Sequence, residues 1–184
     1  MAYTSEAGGG EKSWLQRLAE KIPGIAGYQA KETRREVDKL YREHLADRLR
    51  RVKDPIAAVV RDLTDGGRLF EVTPLERISK KVDTLENRVR FATYGYTGFF
   101  DTVQIKEQQL DAIYQFDLRL VEKVEGVEAA ATALGPGSAT PTELKSAAAA
   151  LETAVDELGS TFDTRQQSIG GFGEASAPGR PLFT

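Results

Sequence analysis

His44 is the only histidine among the 184 residues, which makes it the first side chain to test for metal or acid–base chemistry. A carboxylate-bridged metal pair in a helical bundle needs a Glu-x-x-His motif on each of two helices. The residue three positions before His44 is Tyr41, so this motif is missing. The absence of cysteine also excludes thiolate metal ligands, cysteine nucleophiles and disulfides. We therefore predict no bound metal and no other cofactor.

Asp117 is the one acidic residue that we can place on the apolar face of its predicted helix. A buried charge without a partner is costly, so two structural interpretations compete. In the first, the register of the apolar stripe along this helix drifts, so that Phe116 points inward and Asp117 is exposed. In the second, Asp117 is buried and pairs with Arg88 or Arg90 of the preceding helix. We favour the drift. A functional carboxylate is a third interpretation.

The sequence motifs of common enzyme classes are missing. There is no G-x-S-x-G, no Walker loop and no strand–glycine loop–helix unit. With only one histidine in the chain, no plausible Ser-His-Asp catalytic triad can be assembled. We therefore predict that the chain is not an enzyme, with a metal-dependent bundle enzyme as the remaining catalytic alternative.

The elements that would position these side chains are long helices. Apolar residues recur at spacings of three and four, the pattern typical of helices packed on helices, in the segments 30–65, 74–94, 99–134 and 141–165. The sequence thus predicts an all-α fold: an elongated bundle of four to five amphipathic, coiled-coil-like helices with flexible termini. A hairpin at Gly95–Gly98 and one kinked helix remain alternatives for residues 74–134.

Two helix starts carry a capping signature of threonine, proline and, three residues after the threonine, glutamate. These are Thr73–Glu76 and Thr140–Glu143, so we expect helices to begin at Pro74 and Pro141. Asp54-Pro55 predicts a kink or a fresh helix start within the segment 30–65.

We divide the chain into a disordered leader (1–10), a short amphipathic helix with a Pro/Gly hinge (11–28), a helical bundle domain (29–167) and a flexible Gly/Pro-rich tail (168–184). The leader does not have the apolar core of a secretory signal. No run of about 18 uncharged apolar residues occurs, so we expect no membrane span. Together with the lack of cysteine, this favours a cytoplasmic location, with peripheral membrane association as an alternative.

Charge is distributed unevenly along the chain. Between Glu11 and Lys53 twelve basic and seven acidic residues give a net charge of +5, whereas Asp101 to Asp163 carries −8. Such complementary regions can align a bundle or an oligomer, and a basic region can also approach anionic lipid. The overall net charge of −3 gives little reason to expect nucleic acid as a partner.

Three surfaces are candidate contact sites. The first is the apolar face of the short N-terminal helix, which could dock on an anionic membrane, on a partner groove or on the protein's own bundle. The second is an aromatic stretch that could instead plug the end of the bundle, and the third is the apolar end of the tail. Their residues are Trp14, Leu15, Leu18 and Ile22; Tyr94, Tyr96, Phe99 and Phe100; and Leu182 and Phe183.

The sequence therefore favours a non-enzymatic helical scaffold or adaptor, peripheral at an anionic membrane surface. The alternatives are a cytoplasmic protein-interaction bundle and a cargo or client protein that docks through its tail or aromatic stretch. Partners would be other proteins, or further copies of the chain meeting through helical faces. A short amphipathic helix ahead of long charged helices is similar in outline to the phage-shock membrane-stress proteins, although no motif is shared.

Overall fold

The computed structural model describes residues 20–22, 34–92, 107–135 and 139–174. Within these ranges there are four long helices and no strand: α1 (Arg34–Asp65), α2 (Leu69–Arg90), α3 (Glu107–Thr132) and α4 (Pro141–Glu174). The prediction of an all-α helical bundle is thereby confirmed.

The helices form two antiparallel hairpins, α1–α2 and α3–α4, that lie side by side. Across the hairpins α1 contacts α3 and α2 contacts α4. Both cross pairs run parallel, because residue numbers rise together along them: Tyr41 meets Asp117, and Arg48 meets Glu128. Although α2 and α3 are consecutive in sequence, they therefore occupy diagonal positions of the bundle.

The bundle has two different ends. At the turn end, residues 66–68 join α1 to α2, and α3 is followed by the turn at residues 133–135, close to the start of α4. At the linker end α1 and α3 begin and α2 and α4 finish. Since α4 has 34 residues, it is roughly 50 Å long at 1.5 Å per residue. The two ends are thus well separated.

The core consists of the apolar stripes that the three–four spacing predicts. Most buried apolar side chains recur about one helical turn apart, so the stripe of one helix faces its two neighbours. The buried apolar residues recur at this spacing in α2 and α4: Leu75, Ile78, Val82, Leu85 and Val89, and Leu144, Ala148, Leu151, Val155, Leu158 and Phe162.

The turn after α1 follows from its two glycines. Gly67 has φ +70°, a left-handed conformation that glycine adopts without steric cost. The N–H of Arg68 donates to the carbonyl of Leu63 at 2.8 Å, and the N–H of Gly67 donates to that of Thr64 at 3.1 Å. This Schellman pattern ends α1 as predicted and directs the chain straight into α2.

The start of α2 differs from the prediction. It begins at Leu69, five residues before Pro74, and Arg68 occupies the N-cap position, where its side chain makes no capping hydrogen bond to the helix. The Schellman turn already places Leu69 in a helical position, so the capping sequence Thr73–Glu76 is not needed to begin the helix. Pro74 removes one backbone donor, but it does so within the first two turns.

Two further boundaries are corrected. Pro55 lies inside α1, which runs without a fresh start to Asp65 and buries Val52, Ile56 and Val59 on one face. Likewise α4 continues to Glu174, so residues 168–174 of the predicted tail are helical. An existing helix gains about one hydrogen bond for each added residue and can therefore pass through residues that would not nucleate one.

The predicted cap of α4 is present. The N–H of Glu143 donates to Oγ1 of Thr140 at 3.3 Å, while the N–H of Thr140 donates to the Glu143 carboxylate at 2.9 Å. Both interactions belong to a reciprocal capping box. Hydrogen bonds from Thr140 also hold the pKa of Glu143 below its usual range.

Candidate interaction surface

The most exposed large apolar side chain in the described residues is Phe70, which is 97% exposed, and its neighbour Leu69 is 60% exposed. Beside Phe70 the N-terminal parts of α2 and α4 border a groove of about 480 Å³. We call it the Phe70 groove. Its apolar lining consists of Phe70, Pro74, Ile78, Pro141, Leu144, Ala148 and Ala149.

Helix geometry explains why Phe70 points away from the core. Successive residues are about 100° apart around a helix, so Phe70 lies roughly 140° from Leu75, the first fully buried residue of α2. Val72, which lies closer to the stripe, is partly buried against the core. Phe70 is therefore held at the surface by the register that buries the rest of α2.

Charged side chains of both signs border the Phe70 groove. Arg77 Nη2 lies 2.9 Å from Glu152 Oε2 across the groove, and Lys81 Nζ lies 2.8 Å from the other carboxylate oxygen. Hydrogen bonds from Lys81 and Arg77 hold the pKa of Glu152 below its usual range. Lys145 also lines the groove, and it makes no ion pair with any residue the structure describes.

The same α2–α4 face continues as a row of exposed ion pairs. As in the Arg77–Glu152 pair, two further basic residues of α2 on this face pair with acidic residues 75 positions later, as the parallel packing requires: Lys81 with Asp156 at 2.9 Å, and Arg88 with Asp163. Exposed pairs of this kind contribute little stability individually. They set the register of α4 against α2 and hence the shape of the groove.

The described part of the N-terminal segment contacts the bundle. Ile22 is 1% exposed and belongs to the core, and Lys21 Nζ lies 2.7 Å from Glu125 Oε1 of α3. Arg48 of α1 donates to Glu128 at 2.9 Å. The basic N-terminal region thus meets the acidic α3, and Ile22 packs on the protein's own bundle. Trp14, Leu15 and Leu18 lie outside the described residues.

Asp117 is buried at the linker end, so the predicted drift of the register is wrong. Its side chain accepts from Nε of Arg165 at 2.6 Å, and the two residues are 6% and 3% exposed. Tyr41 of α1 donates through its hydroxyl to the backbone carbonyl of Asp117 at 2.7 Å. The guanidinium of Arg165 also lies over the Tyr41 ring, 5.9 Å from its centroid.

The predicted partners of Asp117 are corrected by the arrangement of the helices. Because α2 is diagonal to α3, its basic residues face α1 and α4 instead. Arg88 pairs with Asp163, and Arg90 lies 2.9 Å from Asp47. The partner of Asp117 comes from α4, which is adjacent to α3.

Another buried cation serves the end of α2. Nη1 of Arg42 donates to the carbonyls of Ala92, at 2.7 Å, and Arg90, at 3.3 Å. Carbonyls after the last helical turn lack partners within the helix, so Arg42 stabilises this terminus. Stabilisation of the fold is therefore a sufficient reason for the burial of Arg42 and of the Asp117–Arg165 pair.

Nothing in the described ranges groups His44 or Asp117 into a metal site, since no cluster of three potential ligands occurs there. Partial burial lowers the pKa of His44 most, and the nearby Arg48 and Arg51 lower it further. These effects disfavour the imidazolium form.

Several predicted contact residues cannot be placed beside the Phe70 groove. The aromatic residues Tyr94, Tyr96, Phe99 and Phe100 and the tail residues Leu182 and Phe183 lie outside the described residues. Conversely, the sequence interpretation missed Leu69 and Phe70 because it began α2 at Pro74. The available signal was a pair of large apolar residues, directly after two glycines, that does not fit the stripe of α2.

No helix in the described ranges is both long and apolar enough to cross a membrane. Comparison of the chain with protein-family models, curated proteins and solved structures finds no match.

Proposed function

We propose that this chain is a non-enzymatic helical scaffold or adaptor that binds a polypeptide partner through the Phe70 groove. The observation that carries the proposal is a phenylalanine 97% exposed beside an apolar groove. Exposed apolar patches rimmed by polar residues are typical of protein–protein contact sites. Aromatic side chains are also the residues that most often dominate binding energy at interfaces.

The structure supports this proposal because both walls of the groove are firmly positioned. The capping box at Thr140 fixes the start of α4, and the Schellman turn at Gly67 fixes the start of α2. Arg68 also links the two starts, since its Nη1 donates to the carbonyl of Ala139 at 2.8 Å. A preformed groove loses little conformational entropy on binding, which favours affinity.

The chemistry of the groove indicates the kind of partner. Its apolar floor can accommodate an apolar side chain of a partner. Lys145, Arg77 and Glu152 at its borders can make polar contacts that fix the orientation of that partner. We therefore expect a protein segment that presents an aromatic or branched aliphatic side chain flanked by charges.

Membrane docking through the short N-terminal helix has less structural support. To insert Ile22 into lipid, the protein would have to remove it from the core and break the Lys21–Glu125 pair. The Phe70 groove needs no such rearrangement, because its apolar surface is already accessible. We therefore place the contact surface at the groove.

Site-specific photo-crosslinking in cells tests this proposal. A photoreactive phenylalanine analogue at position 70 should give covalent protein adducts, whereas the same analogue at the exposed Arg61 should give few. Adding Ala149→Glu, which places a charge in the groove, should suppress the adducts. Ala150→Glu is the matched control, since Ala150 is equally on the surface of α4 but does not line the groove.

Equal adduct yields at positions 70 and 61 would contradict the proposal, as would adducts at position 70 that persist with Ala149→Glu. Far-ultraviolet circular dichroism of each variant establishes that the helical bundle is intact.

A further inference from the structure

We infer that the occupant of the Phe70 groove is a second copy of this chain, related to the first by a two-fold axis. This inference rests on the proposed function and specifies its partner. Each copy would insert Phe70 into the groove of the other, so that two equivalent contacts form at once.

Shape supports a self-complementary contact. A two-fold interface uses the same patch on both subunits, so one patch must contain both a protrusion and a recess that can receive it. The Phe70 groove has both, because its rim carries a side chain that is 97% exposed. Of two larger grooves, the one of about 550 Å³ is lined by Phe116, which is only partly exposed, and the described lining of the one of about 690 Å³ contains no aromatic residue.

Charge is also self-complementary at this patch. Glu71 and Glu152 lie along the groove together with Arg77 and Lys145, so the patch carries two charges of each sign. A two-fold axis can therefore bring acids of one copy against bases of the other, which a single-sign patch would not allow. Lys145 lacks an ion-pair partner within the described part of the chain and would gain one from the second copy.

The tail of the same molecule is not a suitable occupant. Glu174 ends α4 at the linker end, 26 residues beyond Ala148 in the groove. At 1.5 Å per helical residue this separation is roughly 39 Å. The nine residues from Glu174 to Phe183 span at most about 32 Å even when fully extended. Leu182 and Phe183 therefore cannot fill the groove of their own chain.

The patch is small, which sets the expected strength of the contact. It involves the N-terminal parts of only two helices, so we expect the contact to bury less than the standard interface size of roughly 1,200–2,000 Å². We expect a reversible dimer with a dissociation constant in the micromolar range rather than a permanent one.

Sedimentation velocity over a range of concentrations of the full chain tests this inference. The wild-type protein should show a monomer–dimer equilibrium, and Phe70→Glu should weaken it about tenfold or more. Phe91→Glu is the matched control, because Phe91 is also exposed, at 72%, but lies at the linker end. Phe91→Glu and deletion of residues 175–184 should leave the dimerisation constant unchanged.

Engineered cysteines give a second readout, since the natural chain has none. Ala149→Cys should form a disulfide-linked dimer faster than Ala150→Cys, because only position 149 lines the groove. A disulfide between the two copies can form only where the Cα atoms of the two engineered cysteines lie within about 7 Å of each other. A bifunctional thiol reagent with a short spacer should therefore be used in parallel, because it also links cysteines that are farther apart.

The outcomes separate the two proposals. A wild-type protein that stays monomeric while position 70 still crosslinks to a different protein overturns the second-copy inference and leaves the adaptor proposal standing. A dimer unaffected by Phe70→Glu, or lost when residues 175–184 are deleted, also overturns the inference. A monomer with no adducts at position 70 overturns both.

Discussion

The two ends of the bundle use side chains in opposite ways. At the linker end charged groups are inside: Asp117 and Arg165 are almost fully buried and satisfy each other. At the turn end two adjacent large apolar side chains, Leu69 and Phe70, are outside, with Phe70 almost fully exposed, whereas Phe91 is the one exposed large apolar side chain described at the linker end. Buried charges and exposed aromatics are the two departures from ordinary burial that carry information. Their separation indicates that one end locks the helices together and the other is available for contact.

The two ends differ physically in how much unfolding free energy is lost when one of these side chains is substituted. A buried ion pair is weakly stabilising as a whole, but loss of one member leaves the other charge without solvent or partner. An exposed phenylalanine makes few contacts in its own chain, so its removal changes the folded monomer little. The predictions below test this contrast in order of decreasing effect on stability.

Arg165→Ala should cause the largest loss, about 3–5 kcal/mol of unfolding free energy, because the buried Asp117 loses the guanidinium that lies 2.6 Å from its carboxylate. Urea denaturation at neutral pH measures it. The exposed pair Lys123–Glu157 joins the same two helices at 2.5 Å, and Lys123→Ala should cost only about 0–1 kcal/mol.

The double variant Asp117→Leu with Arg165→Met sharpens this prediction. It should recover most of the stability that Arg165→Ala loses, since apolar side chains replace both members of the buried pair. The Tyr41 hydroxyl keeps its acceptor in this variant, because that acceptor is the backbone carbonyl of residue 117. Equal losses for Arg165→Ala and Lys123→Ala would show that the linker end is not the locked end.

Thr140→Ala should have an intermediate effect, about 1 kcal/mol, because it removes a helix N-cap at the turn end. The pKa of Glu143 in the folded protein lies below its ordinary value of 4.5. Its hydrogen bonds therefore contribute stability above about pH 4.5 that is lost as the pH falls through the lower folded pKa.

Denaturation measured between pH 7 and pH 3 tests this dependence. The wild-type protein and Thr140→Ala should become more similar in stability as the pH falls, because protonated Glu143 no longer supports the cap. A stability difference that grows toward acid pH would contradict the assignment of the capping box. Serine at position 140 is the conservative control and should retain both the stability and the pH dependence.

The sequence predicted what depends on neighbouring residues along one helix. The inward stripes of α2 and α4, the end of α1 at residue 65 and the cap at Thr140 all follow from local spacing and side-chain chemistry. Residues with two competing local signals were less predictable. The sequence Thr73–Glu76 resembles a cap, yet the preceding turn already starts α2 at Leu69.

Contacts between helices were beyond local patterns. The partner of Asp117 depends on whether α2 or α4 is adjacent to α3, and the stripes of both helices are compatible with either choice. Only the diagonal placement of α2 and α3 selects Arg165 over Arg88 and Arg90. The Phe70 groove was missed both because α2 was predicted to begin at Pro74 and because one wall of the groove comes from α2 and the other from α4.

Phe70→Glu should have the smallest effect on the isolated fold, within about 0.5 kcal/mol at protein concentrations low enough to keep the chain monomeric. The side chain is 97% exposed, so its replacement leaves no cavity. At higher concentration the wild-type melting temperature should rise, because the dimer stabilises the folded state by mass action. The melting temperature of Phe70→Glu should stay constant across the same concentrations. If Phe70→Glu instead lowers the stability of the dilute protein by about 2 kcal/mol or more, Phe70 packs within its own chain. The turn end would then be part of the stabilising core, and the contrast between the two ends would be lost.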